Sequence, residues 1–382
     1  MTRLLFSAGE ASGDMHAADL IAALKARVGE LEMYGMGGPL MQQAGVELLF
    51  NPTSMSTVGF VEALKSVQVM RRVLGRLGDA MDRRPPDAVV CIDFSGFNMK
   101  LAELARRKGL PVVYYLPPSA WAWGRGRAEK LARLGVTVCA ALPVEVEAYR
   151  EAGAEVVFVG HPLVDRVKPS APAEDVRREL GVGPDRPLIA LLPGSREQEL
   201  KQLLPPMLEA AAVIFRERPD ARFALPVAHT LSAQTVKRFL PQDAPPLAVL
   251  EGRTYDVMHA ADAAMISMGT ATLEAALLGL PHVACYRVSG ATYALARRLI
   301  KISHFALPNI IAGREIVPEL VQADVTGEKL ARAVLPMLEP QRREELRARL
   351  SRVREALGDG DAAGKAADII LAKARARAPQ EQ

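Results

Sequence analysis

A single aspartate, Asp93, directly follows the apolar run Ala88–Ile92, which is typical of a buried strand. Side chains that follow a strand of a parallel sheet lie at its carboxyl end, where ligands of α/β proteins bind. A carboxylate there can take a proton from an attacking hydroxyl group. The position therefore indicates a general base, and an aspartate that caps the following turn is the alternative.

The first strand-like run of the chain is followed by the segment Gly9–Asp14, which holds two glycines and two carboxylates. Its glycines allow tight backbone turns, and Ser12 or Asp14 can cap the helix that begins there. We expect Glu10 to face a sugar acceptor. A plain strand-to-helix turn is the alternative.

A pattern typical of anion binding follows the apolar run Leu188–Leu192 and opens a long helix. Ser195 is a suitable helix cap, and free amides together with the helix dipole favour an anion. The forked guanidinium of Arg196 suits a diphosphate. Such a site can stabilise a leaving nucleoside diphosphate without a metal. The lysine of a P-loop is missing, which argues against an NTPase.

A third strand-to-helix junction holds Gly269, Thr270 and Glu274. Gly269 and Thr270 offer an amide and a hydroxyl to a phosphate. Glu274, one turn into the helix, can accept hydrogen bonds from both hydroxyls of a ribose. A solvated helix glutamate is the alternative.

These junctions require elements that position them, and the chain supplies two series of apolar runs that alternate with amphipathic stretches. The runs are continuous, as expected for strands covered on both faces of doubly wound parallel sheets. A proline-rich stretch over 164–187 interrupts the rhythm and predicts an interdomain linker with a short helix. We therefore predict domains over 1–165 and 166–345, followed by C-terminal helices over 346–382. The two sheets are expected to face each other across a cleft that binds ligands.

The composition limits the class of protein. The 382 residues are 49% hydrophobic and 5% aromatic and carry a net charge of +4. This length suits two α/β domains, and the mild positive charge suits an anionic ligand or membrane surface. The weak charge and scarce aromatics argue against nucleic acid. No uncharged apolar run approaches the roughly 18 residues that a membrane-spanning helix needs.

No metal or cofactor is predicted. Cys91, Cys139 and Cys285 lie in separate apolar runs without metal-ligand spacing and are expected to be reduced core residues. The acidic triplet Asp359-Gly360-Asp361 is similar to the Asp-x-Asp motif that holds a metal in some enzymes, but its position before a helix favours a cap.

The stretch Phe60–Leu77 predicts an amphipathic helix with one apolar face. Lys65, Arg72 and Arg76 lie on the opposite face. Core packing and contact with a membrane surface are both compatible with this pattern.

Six segments together resemble the lipid-A-disaccharide synthase family, and they span nearly the whole chain. They are Ala8–Asp14, Pro118–Trp123, Val159–Pro162, Leu191–Arg196, Gly269–Glu274 and Leu307–Glu315. The resemblance implies the two-domain glycosyltransferase B fold and inversion at the anomeric carbon. It implies UDP-2,3-diacylglucosamine as donor and 2,3-diacylglucosamine 1-phosphate as acceptor, with the β-1,6 lipid A disaccharide and UDP as products.

The resemblance also has consequences for location and assembly. It implies a peripheral membrane protein at the inner face of the cytoplasmic membrane. Some family members form homodimers by exchanging C-terminal helices, so the helices over 346–382 are expected either to exchange in this way or to pack back on the N-terminal domain.

Matching by position, the resemblance implies Asp93 as the base and Glu10 as the acidic residue of the first loop. It places Arg196 near the donor diphosphate, and Glu274 and Asn309 at the nucleotide. We therefore predict three groups of site residues: catalytic Asp93 and Glu10; a UDP site of Gly194, Ser195, Arg196, Gly269, Thr270, Glu274 and Asn309; and an acceptor site of Gly13, Asp14, Ser119 and Trp121.

Three positions depart from the residues that are usual in the family. Gly96 stands where a second aspartate is usual, Met268 replaces a serine before the Gly-Thr pair, and Pro117 replaces a serine before the tryptophan motif. Gly96 and Pro117 lie on the acceptor side, so a related transferase with another glycolipid acceptor is one alternative. A UDP-sugar epimerase, which shares the fold, is a second, and a non-catalytic glycolipid-binding protein is a third.

Overall fold

The computed structural model describes residues 1–52, 60–123, 125–241, 245–288 and 303–377. The chain forms two compact units, Met1–Pro162 with Gly358–Gln382, and Leu163–Leu357. Each unit is built on one parallel sheet with helices on both faces. The predicted pair of doubly wound α/β domains is confirmed.

The first unit carries a seven-stranded sheet in the order β3-β2-β1-β4-β5-β6-β7. Its strands are β1 (Thr2–Ala8), β2 (Leu31–Met36), β3 (Glu47–Phe50), β4 (Ala88–Ile92), β5 (Val112–Tyr115), β6 (Thr137–Ala140) and β7 (Glu155–Phe158). Its helices are α1 (Ala11–Lys25), α2 (Pro39–Gln43), α3 (Phe60–Arg83), α4 (Ser95–Arg107), α5 (Ala120–Trp123), α6 (Gly126–Arg133), α7 (Pro143–Glu151) and, from the C-terminus, α17 (Ala362–Arg377).

The central strands β4, β5 and β6 are buried along their whole length. Helices cover both faces, so these strands need no polar alternation, and this explains their continuous apolar sequence. Cys91 and Cys139 are among the buried residues of these strands, as predicted.

Helix α17 packs against α1 of the first unit. Ala366 and Ile370 belong to the same buried cluster as Leu20. At the edge of this contact, Arg27 Nε donates to Asp368 Oδ1 at 2.7 Å. The last helix therefore covers the face of the sheet that α1 also covers.

The described side chains of helix α3 support core packing for its C-terminal half. Val73, Leu77 and Met81 are buried in the first unit, whereas Val67 is exposed and Arg72 lies on the solvent side. The predicted positions Phe60, Leu64 and Lys65 fall outside the described side chains.

The second unit carries a six-stranded sheet in the order β10-β9-β8-β11-β12-β13. Its strands are β8 (Leu188–Leu192), β9 (Arg222–Val227), β10 (Leu247–Glu251), β11 (Ala263–Ser267), β12 (His282–Tyr286) and β13 (Glu319–Val321). Its helices are α8 (Leu163–Arg166), α9 (Ala173–Glu179), α10 (Glu197–Glu217), α11 (Ala233–Lys237), α12 (Thr254–Ala260), α13 (Thr270–Leu277), α14 (Leu307–Ala312), α15 (Gly327–Val334) and α16 (Pro340–Ala356), with short 3-10 turns at Gln322–Asp324 and Leu335–Leu338.

The compact units differ from the predicted division at one boundary and at the predicted linker. The expected boundary at residue 346 falls inside α16, which belongs to the second unit. The proline-rich stretch expected to be a linker also belongs to that unit, because Asp256 accepts hydrogen bonds from Ser170 N at 2.6 Å and Ser170 Oγ at 2.8 Å. A buried carboxylate far along the chain fixes this stretch, which local composition cannot reveal.

Candidate functional site

The register of the first sheet brings three predicted loops to one edge. Ala8 of β1 pairs with Ile92 of β4, and Ile92 pairs with Tyr115 of β5. All strands run parallel, so the loops that follow them emerge side by side at the carboxyl edge. We call this edge, with the loops that begin at Gly9, Asp93 and Leu116, the first-unit edge.

The loop that begins at Gly9 and the loop that begins at Asp93 are in contact, because Gly9 lies against the ring of Phe94. A Cβ atom at Gly9 would lie 2.1 Å from the Phe94 ring, closer than any side-chain carbon can approach. Glycine at this position is therefore a steric requirement for the close approach of the two loops.

Backbone strain is concentrated at this edge. Asp93 and Phe94 both have φ of 46° and Leu116 has φ of 56°, in the left-handed region that is unfavourable for non-glycine residues. Leu116 also precedes a proline, which restricts its backbone further. Such strain persists where the surrounding structure fixes it, and it is common at functional sites.

The Asp93 side chain is half-buried at the first-unit edge. Burial raises the pKa of Asp93 above its ordinary value, while a hydrogen bond from the Phe94 backbone amide opposes the shift. A carboxylate with a raised pKa is a stronger base than a solvated one, which suits removal of a proton from a hydroxyl.

Asn98, which the sequence analysis did not single out, connects β1 to the Asp93 loop. Ser7 Oγ donates to Asn98 Oδ1 at 2.6 Å. Asn98 Nδ2 in turn donates to the carbonyls of Ser7 at 3.1 Å and Asp93 at 2.8 Å. The sequence offered only an asparagine on the first helical turn after a strand, and its full burial is seen in the structure alone.

Glu145 is a second buried carboxylate that sequence reasoning missed. It lies in the first turn of α7, after β6, and its Oε2 accepts from the amides of Ala141 at 3.0 Å and Leu142 at 3.1 Å. Burial raises the pKa of Glu145 to about 7, the two amide hydrogen bonds oppose the shift, and the charge of Asp93 adds to it. Glu145 and Asp93 therefore interact electrostatically.

The raised pKa of Glu145 predicts a pH dependence of stability. The pKa of Glu145 in the folded protein lies above the ordinary value of 4.5. The contribution of Glu145 to the free energy of unfolding is therefore fully present below pH 4.5, and it is lost as the pH rises through about 7. We expect Glu145→Gln to remove up to about 3 kcal/mol of this fall in the free energy of unfolding. Urea denaturation at pH 4.5 and pH 8 measures it.

The matched control for this prediction is Glu147→Gln, which changes an exposed glutamate on the same helix. It should leave the pH dependence as in the wild type. An identical pH dependence in Glu145→Gln and the wild type would show that Glu145 does not titrate in this range.

The Gly9–Asp14 segment differs from its expected geometry. Glu10 is exposed at the N-cap of α1 without a side-chain cap. Ser12 and Asp14 lie inside the helix and do not cap it. The buried Asp14 carboxylate instead accepts from the amides of Gly38, Leu40 and Met41, each at 2.9 Å.

Asp14 thus fixes the start of α2. Its carboxylate is buried against these amides, so it presents no exposed face for the predicted contact with an acceptor. Gly13 is buried, and a Cβ there would lie 3.4 Å from that of Ala8, so Gly13 packs against the sheet. Of the two acidic residues in this segment, Glu10 is exposed and Asp14 is buried, so Glu10 is the one whose carboxylate is accessible to a ligand.

Ser119 and Trp121 lie in the loop after β5 and the start of α5. Both are partly buried. Tyr149 of α7 holds this loop by donating to the Pro118 carbonyl at 2.8 Å. Trp121 Nε1 is buried and has no hydrogen-bond partner among the described residues, which is uncommon for a buried donor.

The register of the second sheet places the other two junctions together. Ile266 of β11 pairs with Leu192 of β8, so the loops with Gly194 and Gly269 emerge beside each other at the carboxyl edge of this unit. We call this edge the second-unit edge.

Glu199 occupies the amides that were expected to bind an anion. Its Oε2 accepts from Ser195 N at 2.7 Å and Arg196 N at 3.3 Å. Its Oε1 lies 3.4 Å from Arg196 Nη1. The N-cap of α10 is Arg196, so the prediction that Ser195 caps this helix is wrong. The Arg196 side chain is 81% exposed.

Gly194 cannot carry a side chain without a change in this loop. Its φ is +123°, and a Cβ would lie 2.2 Å from Glu199 Oε2. We expect Gly194→Ala to lower the free energy of unfolding of the second unit by about 1–3 kcal/mol, through backbone strain and displacement of Glu199. Gly183→Ala is the control, because a Cβ there meets nothing within 4 Å.

Chemical denaturation of both glycine variants measures the difference. Equal midpoints for Gly194→Ala and Gly183→Ala would contradict the described loop.

Gly269 and Thr270 are exposed at the start of α13, and no side-chain cap bonds to this end within the described chain. Thr272 holds the turn by donating to the Gly269 carbonyl at 2.8 Å. Glu274 is partly buried one turn further on, and burial raises the pKa of Glu274 to about 7. This end of α13 offers amides and a hydroxyl to an anion.

Asn309 is fully buried on α14, and its side chain makes four hydrogen bonds within the protein. Oδ1 accepts from Ile316 N at 2.7 Å and Val317 N at 2.9 Å, and Nδ2 donates to Val317 O and Glu319 Oε1, both at 2.8 Å. An amide side chain can make about four such bonds. Asn309 therefore fixes the segment after α14, and direct contact with a nucleotide would require it to release one of them.

Metal ligation finds no support in the described ranges, where no group of three or more histidine, cysteine or acidic side chains is placed to hold an ion. Asp361 of the acidic triplet caps α17 by accepting from Gly364 N at 3.1 Å, as predicted. The helices in the described part of the chain include none that is long and apolar enough to cross a membrane.

Comparison with known proteins assigns the family. Residues 4–371 match the family model described as lipid-A-disaccharide synthetase. A lipid-A-disaccharide synthase of Geobacter sulfurreducens is 40% identical over 370 residues, which are 97% of this chain and 96% of that protein. The Myxococcus xanthus enzyme of the same name is 42% identical over 371 residues, 97% of each chain.

Solved structures with low sequence identity share the fold. A calicheamicin glycosyltransferase is 18% identical with a TM-score of 0.62, covering 99% of this chain and all of the other. A putative UDP-N-acetylglucosamine 2-epimerase from Listeria monocytogenes is 14% identical with a TM-score of 0.65, covering 97% of this chain and 95% of the other. The fold is thus that of glycosyltransferase B proteins, and the chain belongs to the lipid-A-disaccharide synthase family of glycosyltransferases.

Proposed function

We propose that this protein transfers 2,3-diacylglucosamine from UDP-2,3-diacylglucosamine to the 6-hydroxyl of 2,3-diacylglucosamine 1-phosphate. The products are the β-1,6-linked lipid A disaccharide and UDP. The observation that carries the proposal is the match to lipid-A-disaccharide synthases at about 40% identity over nearly the whole chain. The epimerase alternative rests on fold similarity at 14% identity and is not favoured.

The first-unit edge is proposed to bind the acceptor and supply the base. The acceptor 6-hydroxyl attacks the anomeric carbon of the donor as its proton passes to the Asp93 carboxylate. The raised pKa of Asp93 and its half-buried position support this role. Exposed Glu10, with Ser119 and Trp121 in the neighbouring loop, is proposed to orient the acceptor sugar.

The second-unit edge is proposed to bind UDP. As the new C–O bond forms, the bond from the anomeric carbon to the phosphate oxygen breaks and UDP leaves with increased negative charge. The exposed Arg196 guanidinium and the start of α13, with Gly269 and Thr270, are proposed to stabilise that charge. Glu274 is proposed to accept hydrogen bonds from the ribose hydroxyls.

Gly194 and Ser195 take a refined role in this proposal. Because Glu199 already occupies the amides of Ser195 and Arg196, the diphosphate is proposed to meet the guanidinium of Arg196 rather than these amides. Gly194 and Ser195 then shape the loop that presents the guanidinium.

A membrane surface is proposed to present the acylated substrates. The exposed Val67 and the exposed cationic residues Arg71, Arg72 and Arg76 on α3 support contact with an anionic lipid surface. We propose a peripheral position at the inner face of the cytoplasmic membrane. The homodimer implied by the family resemblance stays a prediction.

Incubation with UDP-2,3-diacylglucosamine and 2,3-diacylglucosamine 1-phosphate tests the reaction, with products measured by mass spectrometry. The disaccharide 1-phosphate and equimolar UDP are expected only when both substrates are present. A second arm replaces the acceptor with other glycolipids and tests the departures at Gly96 and Pro117. Epimerised UDP-sugar without acceptor, or no transfer to any acceptor, would contradict the proposal.

A further inference from the structure

The backbone carbonyl of Asp93 is held by two buried side chains. Tyr114 Oη donates to it at 2.7 Å, and Asn98 Nδ2 donates to it at 2.8 Å. Tyr114 and Asn98 are both fully buried. Tyr114 lies on β5, the strand beside β4, so its hydroxyl reaches the carbonyl across the strand end.

These contacts act where the chain is strained. Asp93 adopts a left-handed conformation with φ of 46°, which costs free energy in a residue with a side chain. The backbone rotation at a residue determines the direction of its own side chain. A conformation of this kind persists only if the surrounding contacts favour it over an ordinary one.

The backbone amide of Asp93, in the preceding peptide group, is fixed as well. Asp93 N donates to the Tyr115 carbonyl at 3.2 Å, in continuation of the β4–β5 pairing. Asp93 is therefore held through its amide by one residue of β5 and through its carbonyl by the preceding one. Asn98 Nδ2 adds a third restraint from the helix that follows.

We propose that Tyr114 and Asn98 are positioning residues for the reaction: together they lock Asp93 in its left-handed conformation and keep its carboxylate half-buried at the first-unit edge. This inference rests on the proposed role of Asp93 as the base. The Tyr114 ring alone would provide core packing. The Tyr114 hydroxyl additionally restrains the carbonyl of Asp93.

Tyr114→Phe removes the hydroxyl and keeps the ring. We expect kcat to fall about tenfold or more, because a catalytic group that samples other orientations spends less time in reach of its substrate. The affinity for UDP should stay unchanged, since Tyr114 belongs to the first unit. The acid limb of the kcat/KM profile should move to lower pH, because a carboxylate released toward solvent loses the desolvation that raises its pKa.

The matched control is Tyr34→Phe. Tyr34 is also a fully buried tyrosine of the same sheet, and its hydroxyl donates to the Arg84 carbonyl at 2.5 Å. The control therefore loses an equivalent hydrogen bond elsewhere. Both variants should show similar small losses in thermal stability, and only Tyr114→Phe should change kcat and the pH profile.

A direct titration separates this inference from the proposed function. NMR of the full chain with carboxyl-labelled aspartate gives the pKa of Asp93, assigned by its loss in Asp93→Asn, whether or not the disaccharide is made. Among the described residues, Tyr114 and Glu145 are titratable groups whose electrostatics include the charge of Asp93, so Glu145→Gln serves as a second background.

A lower Asp93 pKa in Tyr114→Phe, with no change in Tyr34→Phe, is the expected result in both backgrounds. An unchanged Asp93 pKa together with unchanged kcat in Tyr114→Phe would overturn the inference. If the wild type binds UDP but makes no disaccharide, the proposed function fails, while the titration still tests the restraint on Asp93.

Discussion

Asp93→Asn is expected to lower kcat by roughly 10²–10⁴, the usual contribution of a general base. Asparagine nearly matches aspartate in size but cannot accept the proton of the acceptor hydroxyl. UDP affinity should be unchanged, because the residues proposed to bind UDP belong to the other compact unit. Steady-state transfer assays and calorimetric titration with UDP measure the two quantities.

Asp79→Asn provides the control for this variant, since Asp79 is an exposed aspartate on α3 of the same unit. It should retain wild-type kcat. Near-full turnover by a correctly folded Asp93→Asn protein would refute the assignment of the base.

Arg196→Ala is expected to weaken UDP binding about 10- to 100-fold, since hydrogen bonds to charged groups contribute about 1.5–3 kcal/mol. The guanidinium is exposed and contacts Glu199 at 3.4 Å, so it is available to a second anion. Little stability should be lost, because a surface ion pair of this kind contributes little. Calorimetry with UDP alone measures the affinity.

Arg216→Ala is the matched control, because Arg216 is an exposed arginine near the opposite end of α10. It lies about 30 Å away along the helix at 1.5 Å per residue. UDP affinity that is equally weakened in both variants would indicate a general charge effect. Unchanged affinity in Arg196→Ala would count against its contact with the diphosphate.

The fold could be predicted because its determinants are local. Continuous apolar runs such as Ala88–Ile92 and Leu188–Leu192 specify strands that are buried on both faces, and the helices between them specify parallel connections. The place of the proline-rich stretch depended on a distant partner. Nothing near Ser170 indicates that Asp256 binds it. The boundary at residue 346 was avoidable, because the helical spacing of Leu346, Leu350 and Val353 indicates one continuous helix across that position.

The placement of the candidate loops at the carboxyl edges of the sheets was predictable for a similar reason. A loop after a parallel strand must emerge at the carboxyl edge, so Asp93, Arg196 and Gly269 could be placed at such an edge from the sequence. The side-chain partners at these edges could not. Asp14 binds amides about 25 residues further along the chain, and no local pattern specifies that contact.

Glu199 is an intermediate case. A glutamate in the first helical turn that reaches back to the preceding amides follows a known capping pattern, and its presence could have been recognised. Recognising it would have shown that the amides of Ser195 and Arg196 are already occupied. Asn98 and Glu145 were harder to find, because only the burial of a polar side chain separates them from ordinary helix residues.

A single-turnover measurement tests the central claim about Asp93 most directly. Donor bound to excess enzyme is mixed with saturating acceptor, and the disaccharide is quantified over time for the wild type and Asp93→Asn. A rate constant reduced by roughly 10²–10⁴ in the variant, with equal donor binding, is the predicted result. Equal rate constants for the two proteins would contradict the account.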